Sequence, residues 1–407
     1  MAQLRQEVEP GGAGLDAKAL DRLDRHFARY VDEGRLPGYL VAVTRGGLVA
    51  HLGMYGRRDV AAGLPVTADT LWRIYSMTKP VTAVAVLLLM EQGALTLDDP
   101  VDRYLPAFAD PQVYTGGSGA KTRTRPAGTP ILVRHLLTHT AGLTFASYHR
   151  HPVDALYREA GLEFSVRPGA DLAETVDVYA SLPLQFEPGT QWNYSVASNV
   201  LGRLVEVVSG QPLDAFFAER ILRPLGMVDT GFHIVPEQAG RLAELYRETE
   251  DGGIEPVAGL PVHGRPRFLS GSGGLVSTAY DFHRFMEMLR RGGELDGTRL
   301  LSPRTVELMS RNQLPGGAIL RDFGAPVHQE AANDGLGFGF NVSVVVDPAR
   351  TLAPSGLGTY GWTGAATTAF WVDPSHDVTV QFMTQVRPRT LKVFPELRRL
   401  VHEALER

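Results

Sequence analysis

Tyr75-Ser76-Met77-Thr78-Lys79-Pro80-Val81-Thr82-Ala83-Val84-Ala85-Val86-Leu87-Leu88-Leu89-Met90 places a serine and a lysine, three residues apart, at the opening of an almost wholly apolar helix. That spacing puts Ser76 and Lys79 on one helical face a turn apart, so the amine can reach the hydroxyl. Serine is a weak nucleophile at its own pKa and needs a base beside it. A lysine desolvated in an apolar cleft gives up its proton and can serve as that base. Backbone N–H groups at a helix start also favour developing negative charge. Ser-x-x-Lys arises by chance in long chains, where it means a helix cap and a solvated lysine. Here Pro80 and the apolar run follow at once, so a merely solvated Lys79 would stand at the mouth of a core element. The run 81–90 has half the roughly 20 residues that cross a bilayer, and it reads as a buried helix.

Working outward, residues 15–32 carry Leu20, Leu23, Phe27 and Val31 at helical spacing with charges between them, and the pattern stops at Gly34. Two apolar runs, 39–44 and 48–53, flank Gly46-Gly47 and read as a β-hairpin. Residues 98–290 read as helices joined by Pro- and Gly-containing loops, with helices at 198–208 and 213–222. Strand patterns return at 337–346, 367–372 and 378–383, and an amphipathic helix closes the chain at 395–405. The economical architecture is an α+β (α/β sandwich type) fold: an antiparallel sheet drawn from both chain ends, flanked by the terminal helices, with a mostly helical region inserted. This divides the chain into an α/β domain of residues 1–97 and 330–407 and an inserted region of residues 98–329, whose 270–290 segment packs at the cleft. Residues 116–130, rich in Gly, Thr and Arg, read as a surface loop.

Composition narrows the function classes. Forty Lys and Arg against 45 Asp and Glu give a net charge of −5, without the strongly basic footprint of a nucleic-acid partner. The absence of cysteine excludes disulfides, thiolate nucleophiles and Cys-ligated metals. The start, MAQLRQEVEPGGAG, lacks the basic and apolar regions of a secretory signal, so the expected location is cytoplasmic, with no membrane association.

With these motifs in order, the chain resembles the serine β-lactamase and penicillin-binding-protein superfamily, and within it the class C-like family VIII carboxylesterases. Besides Ser76-Met77-Thr78-Lys79, the resemblance rests on Leu136-Leu137-Thr138-His139-Thr140-Ala141-Gly142-Leu143, on Pro188-Gly189 leading to Tyr194-Ser195-Val196, on Leu225-Gly226-Met227 and on Gly271-Ser272-Gly273-Gly274-Leu275. It implies a β-lactamase-like fold and a second catalytic element, Tyr-x-Asn, in which Tyr194 matches and Val196 stands where the family has asparagine. A phenol near Lys79 has its pKa lowered by the ammonium, so Lys79 and Tyr194 are expected to share one proton. The third element, Lys-Thr-Gly on an edge strand, maps to Trp362-Thr363-Gly364. The resemblance further implies an oxyanion hole of the Ser76 and Ala365 amides. Trp362, Gly364 and Val196 are the candidate substrate-binding residues. An indole in place of the cation that holds a substrate carboxylate suits uncharged esters.

The expected activity is a serine carboxylesterase acting on small, short-chain, uncharged esters through a Ser76 acyl-enzyme, with no cofactor and a small-molecule ester as partner. A β-lactamase, a D-amino-acid peptidase or an acyltransferase would use the same chemistry, and a non-catalytic ligand-binding protein would use the same fold. Two other features carry less. His135 and His139 stand four apart on an expected helix, a metal-binding spacing, but the glutamate of H-E-x-x-H and a third ligand are missing. The block then reads as a helix end capped by Gly142. No G-x-S-x-G elbow is present, and Gly271-Ser272-Gly273-Gly274 reads as a tight turn lining the cleft.

Overall fold

In the computed structural model, described over residues 3–259, 261–329, 331–387 and 391–405, helix α1 (Ala17–Asp32) opens on Asp16, whose carboxylate accepts from the Lys18 amide. Strands β1 (Gly38–Arg45) and β2 (Leu48–Asp59) pair antiparallel around Gly46 and Gly47, whose φ of 61° and 85° make the tight turn possible. Strand β3 (Leu64–Pro65) extends this edge. The remaining strands of the main sheet come from the far end of the chain: β4 (Leu336–Phe338), β5 (Ser343–Val345), β6 (Tyr360–Gly364), β7 (Thr368–Asp373) and β8 (Val378–Met383). Their order is β4-β5-β6-β7-β8-β1-β2-β3, and every neighbouring pair is antiparallel. The two chain ends meet where β1 lies against β8, with Leu40 opposite Met383.

Alternation along β1 explains how this sheet is buried on both faces. Leu40 and Ala42 point into the core shared with the helical region, beside Phe370 and Met383. Tyr39, Val41 and Val43 point to the other face, where α1 and the C-terminal helix α5 (Val393–Leu405) cover them. There Phe27 packs on Phe382 with ring centroids 4.9 Å apart, and the Tyr30 hydroxyl donates to Glu396 at 2.8 Å. Helix α2 (Thr78–Glu91), buried from Thr78 to Leu89, runs through the first core beside α3 (Ala197–Ser209) and α4 (Ala279–Arg290). Its all-round apolar surface is that of an internal helix. Among the described residues no helix is long and apolar enough to cross a membrane.

Three local readings change. The run 337–346 is two strands, β4 and β5, because Asn341 takes a left-handed φ of 58° and turns the chain. Its apolar neighbours Phe340 and Val342 hide that turn from a hydropathy pattern. Residues 116–130 are in part a ribbon, Gln112–Gly116 against Arg123–Pro126, anchored by the Tyr114 amide on the Leu184 carbonyl at 2.9 Å. The helix of the His135 block, Val133–Leu137, ends before His139. His139 itself has φ 55°, so no shared helical face joins the two histidines, and Gly142 lies beyond the cap.

Candidate active site

Ser76 sits in the single turn Tyr75–Met77 that links the strand Leu71–Arg73 to α2. The residue before it, Tyr75, is held at φ 44°, a left-handed conformation that costs a non-glycine residue about 1–3 kcal/mol. This turn is pressed from the sheet side. A Cβ on Gly364 would lie 2.5 Å from the Ile74 carbonyl oxygen, so only glycine lets β6 approach the nucleophile turn this closely.

Lys79 follows in the first turn of α2 and is buried to 1%. Its Nζ lies 3.1 Å from Ser76 Oγ and donates to the Ser272 carbonyl at 2.7 Å. It also stands 4.7 Å from the centre of the Tyr194 ring. Burial holds the amine well below its ordinary pKa. The Tyr194 hydroxyl moves the other way: burial raises it, hydrogen bonds from Ser76 and Trp362 lower it, and the balance is about 12. The expected shared proton is therefore divided unequally. Desolvation disfavours both ions, lowering the amine's pKa and raising the phenol's, so the two groups are pushed apart rather than matched.

The Gly271–Gly274 turn, expected to line the cleft, instead supports the base: its Ser272 carbonyl accepts from Lys79, and among the described residues that line the cleft none belongs to the turn. The Ser272 amide donates to Asn199 Oδ1 at 3.0 Å, and the Lys79 carbonyl accepts from Asn341 Nδ2 at 3.2 Å. Sequence reading placed Ser272 in a tight turn without a role at Lys79, and it missed Asn199 and Asn341. Ser272 lies 193 positions from Lys79, and no local periodicity relates them.

Trp362 Nε1 donates to the Tyr194 hydroxyl at 3.3 Å, and the two rings are 5.3 Å apart. The indole's one donor is thereby engaged, and what remains for a ligand is its apolar face. The strand β6 is not an edge strand along its whole length. Partner β5 covers Tyr360 and Gly361 and stops, leaving Trp362, Thr363 and Gly364 with a free edge. That edge, Ala365, Ser76 and Tyr194 line a cleft of about 750 Å³ together with Arg247, Val257 and Arg387. Ala365 is exposed there. Among the described residues neither the Ser76 nor the Ala365 amide has a hydrogen-bond acceptor. Val196, expected at the substrate, is fully buried at the start of α3 with its side chain in the core, and it offers the cleft no surface.

Behind Tyr194 lies an aromatic layer. The His139 ring is 4.9 Å from Tyr194 and 5.7 Å from Phe338, and its Nδ1 accepts from the Ser195 amide at 3.2 Å. Burial lowers the pKa of this imidazole well below its ordinary value. His135 does different work: its Nδ1 accepts from the Leu132 amide at 3.2 Å at the opposite end of the short helix. His139→Ala is expected to cost about 3 kcal/mol, from the cavity left against Tyr194 and the unpaired Ser195 amide. A lowered urea midpoint with an unchanged slope checks this.

The geometry now stands beside what the chain is similar to. A family model described by the name Beta-lactamase matches residues 23–405. Protein Rv1367c of Mycobacterium tuberculosis is 39% identical over 374 residues, covering 91% of this chain and 90% of that one. Esterase EstB of Burkholderia gladioli is 34% identical over 400 residues, covering 93% of each. Among solved structures, EstCE1, a hydrolase with promiscuous acyltransferase activity, superposes with a TM-score of 0.79 at 27% identity, over 95% of this chain and 98% of that one.

Proposed function

The chain belongs to the Beta-lactamase family, and from that premise we propose that it is a serine hydrolase acting on small carboxylic esters through an acyl-enzyme on Ser76. The observation that carries this reading is a buried lysine amine 3.1 Å from the Ser76 hydroxyl, anchored on a carbonyl and, among the described residues, paired with no carboxylate. A neutral Lys79 takes the Ser76 proton as Oγ attacks the ester carbonyl. The Ser76 and Ala365 amides receive the oxyanion. As the intermediate collapses, the C–O bond breaks and the departing alcohol takes a proton from the Tyr194 hydroxyl, which recovers one from the Lys79 ammonium. Water then attacks the acyl group and Lys79 accepts its proton; the acyl–Oγ bond breaks, Ser76 Oγ takes that proton back from Lys79, and the acid leaves.

The wall beside the reacting ester favours esters over β-lactams. Trp362 stands where the resemblance implies a lysine, and it presents an apolar face there. The relative named an esterase supports the same direction. Acyl transfer to an alcohol is the second reading, favoured by the acyltransferase activity named for EstCE1 and by an open cleft that admits a second substrate. The α/β part built on the main sheet and the helical insert between its strands are proposed as the two walls of this cleft.

The test is intact-mass analysis after exposure to a fluorophosphonate, followed by peptide mapping. One adduct on Ser76 is expected, with turnover of short-chain p-nitrophenyl esters well above that of a chromogenic cephalosporin or a D-alanyl peptide. Absence of the adduct overturns the acyl-enzyme, and a cephalosporin rate equal to the ester rate overturns the substrate class. Added short alcohols that raise ester yield at the expense of free acid would move the reading to the transferase.

A further inference from the structure

The cleft contains positive charge that hydrolysis of a plain ester leaves unused. The segment after β8 runs beside a short strand, Tyr246–Glu248, through a bridge between Tyr246 and Val386. The Tyr246 amide donates to the Gln385 carbonyl at 2.9 Å, and the Arg387 amide donates to the Tyr246 carbonyl at 2.9 Å. This parallel register sets Arg247 and Arg387 abreast, and both line the cleft. Arg247 is exposed and forms an ion pair with Glu255. Arg387 is half-buried, and among the described residues no carboxylate pairs with it. Its guanidinium lies 5.7 Å from the centre of the Tyr75 ring, the residue next to the nucleophile. Among the described residues no acidic side chain lines the cleft.

A guanidinium fixed against an aromatic face, partly desolvated and beside a second arginine, is short of an anion. Its planar fork matches a carboxylate with two parallel hydrogen bonds, in surroundings where such bonds are stronger than in water. Trp362, Val257 and Ala365 give the wall apolar surface beside the arginines, which fits an organic acid with a carbon chain better than an inorganic ion.

We propose that Arg387 is a specificity residue that binds a carboxylate on the substrate, remote from the reacting ester, so that the preferred substrates are esters carrying a free acid. This inference rests on the Ser76 acyl-enzyme and deepens it. The carboxylate belongs either to the acyl part, as in a half-ester of a dicarboxylic acid, or to the alcohol part, as in an acylated hydroxy acid. Both present the same group to Arg387. Trp362 stands against the Tyr194 hydroxyl and Arg387 against the Tyr75 ring, so the lost lysine of the third motif and a charged substrate are compatible.

Two matched pairs separate these sources. The first is the mono-p-nitrophenyl ester of glutaric acid against its methyl diester. The second is 3-butyryloxybenzoic acid against its methyl ester. The wild-type protein is expected to favour the charged member of one pair by roughly tenfold in kcat/KM, the worth of a charge-assisted bidentate contact. Arg387→Gln is expected to bring that ratio toward equality. Arg387→Lys, which keeps the charge and loses the fork, is expected to retain a reduced ratio. Equal or inverted ratios in both wild-type pairs overturn the proposal, and so does an unchanged ratio in either variant. A ratio lost in Arg247→Gln and kept in Arg387→Gln overturns the assignment to Arg387. A Ser76 adduct without charge preference sinks this inference alone. No adduct and no turnover of any member sink the acyl-enzyme and this inference together.

Discussion

Ser76→Ala is expected to lower kcat/KM on a short-chain p-nitrophenyl ester by about 10⁴-fold or more, the loss seen when an acyl-enzyme nucleophile is removed and only the oxyanion donors and binding remain. Its fold should be almost untouched. Ser76 faces the cleft rather than the core, and its hydroxyl contacts Lys79 and Tyr194, both of which keep their other partners in Ser272 and Trp362. Stability by urea titration is expected within about 1 kcal/mol of wild type. That combination separates loss of chemistry from loss of structure. A variant that keeps even a tenth of wild-type turnover overturns the nucleophile.

Lys79→Met is expected to have a comparably large kinetic effect, about 10³-fold or more, because among the described residues no other group within reach of Ser76 can take its proton in place of the Lys79 amine. Its effect on stability has the opposite sign and a pH signature. Burial lowers the folded-state pKa of Lys79 below its ordinary value of 10.5. Between those two values the unfolded chain carries one proton more than the folded chain. The unfolding free energy of the wild type therefore rises with pH across that window, with a slope of up to about 1.4 kcal/mol per pH unit. It levels off above 10.5, where neither state holds the proton. Methionine has no such term. The variant loses a donor to the Ser272 carbonyl, a cost of about 1–3 kcal/mol that does not vary with pH. The stability difference between variant and wild type should accordingly favour the variant most at low pH and shrink steadily toward pH 10.5. Parallel stability curves would show that Lys79 is charged in the folded protein, and the neutral-base mechanism would fall.

How much of this was legible beforehand differs between the elements and the site. Helix α1, the β1–β2 hairpin, α2 and the strands β7 and β8 follow from periodicity and glycine placement, because each is decided by neighbours a few residues away. Asn341 turned an apolar run into two strands because a left-handed residue outweighs hydropathy over so short a stretch. His139 likewise broke a helix that its spacing to His135 suggested. At the site, Ser76 and Lys79 were readable because one helical turn links them, and Tyr194 and Trp362 were reached through the motif order of the superfamily.

What the amino-acid sequence by itself determined is the chemistry available: a serine and a lysine a turn apart on an apolar helix, no cysteine, and an indole where a cation is the rule. The tertiary structure decided how that chemistry is set. It buried Lys79 against the Ser272 carbonyl, which lowers the amine's pKa, and it raised Tyr194 rather than lowering it. It turned Val196 into the core and brought Arg387 to the cleft beside Tyr75. The physical reason is the range of the interactions. Helical spacing acts over a few residues, whereas desolvation and charge placement depend on which distant segments exclude water from a given atom.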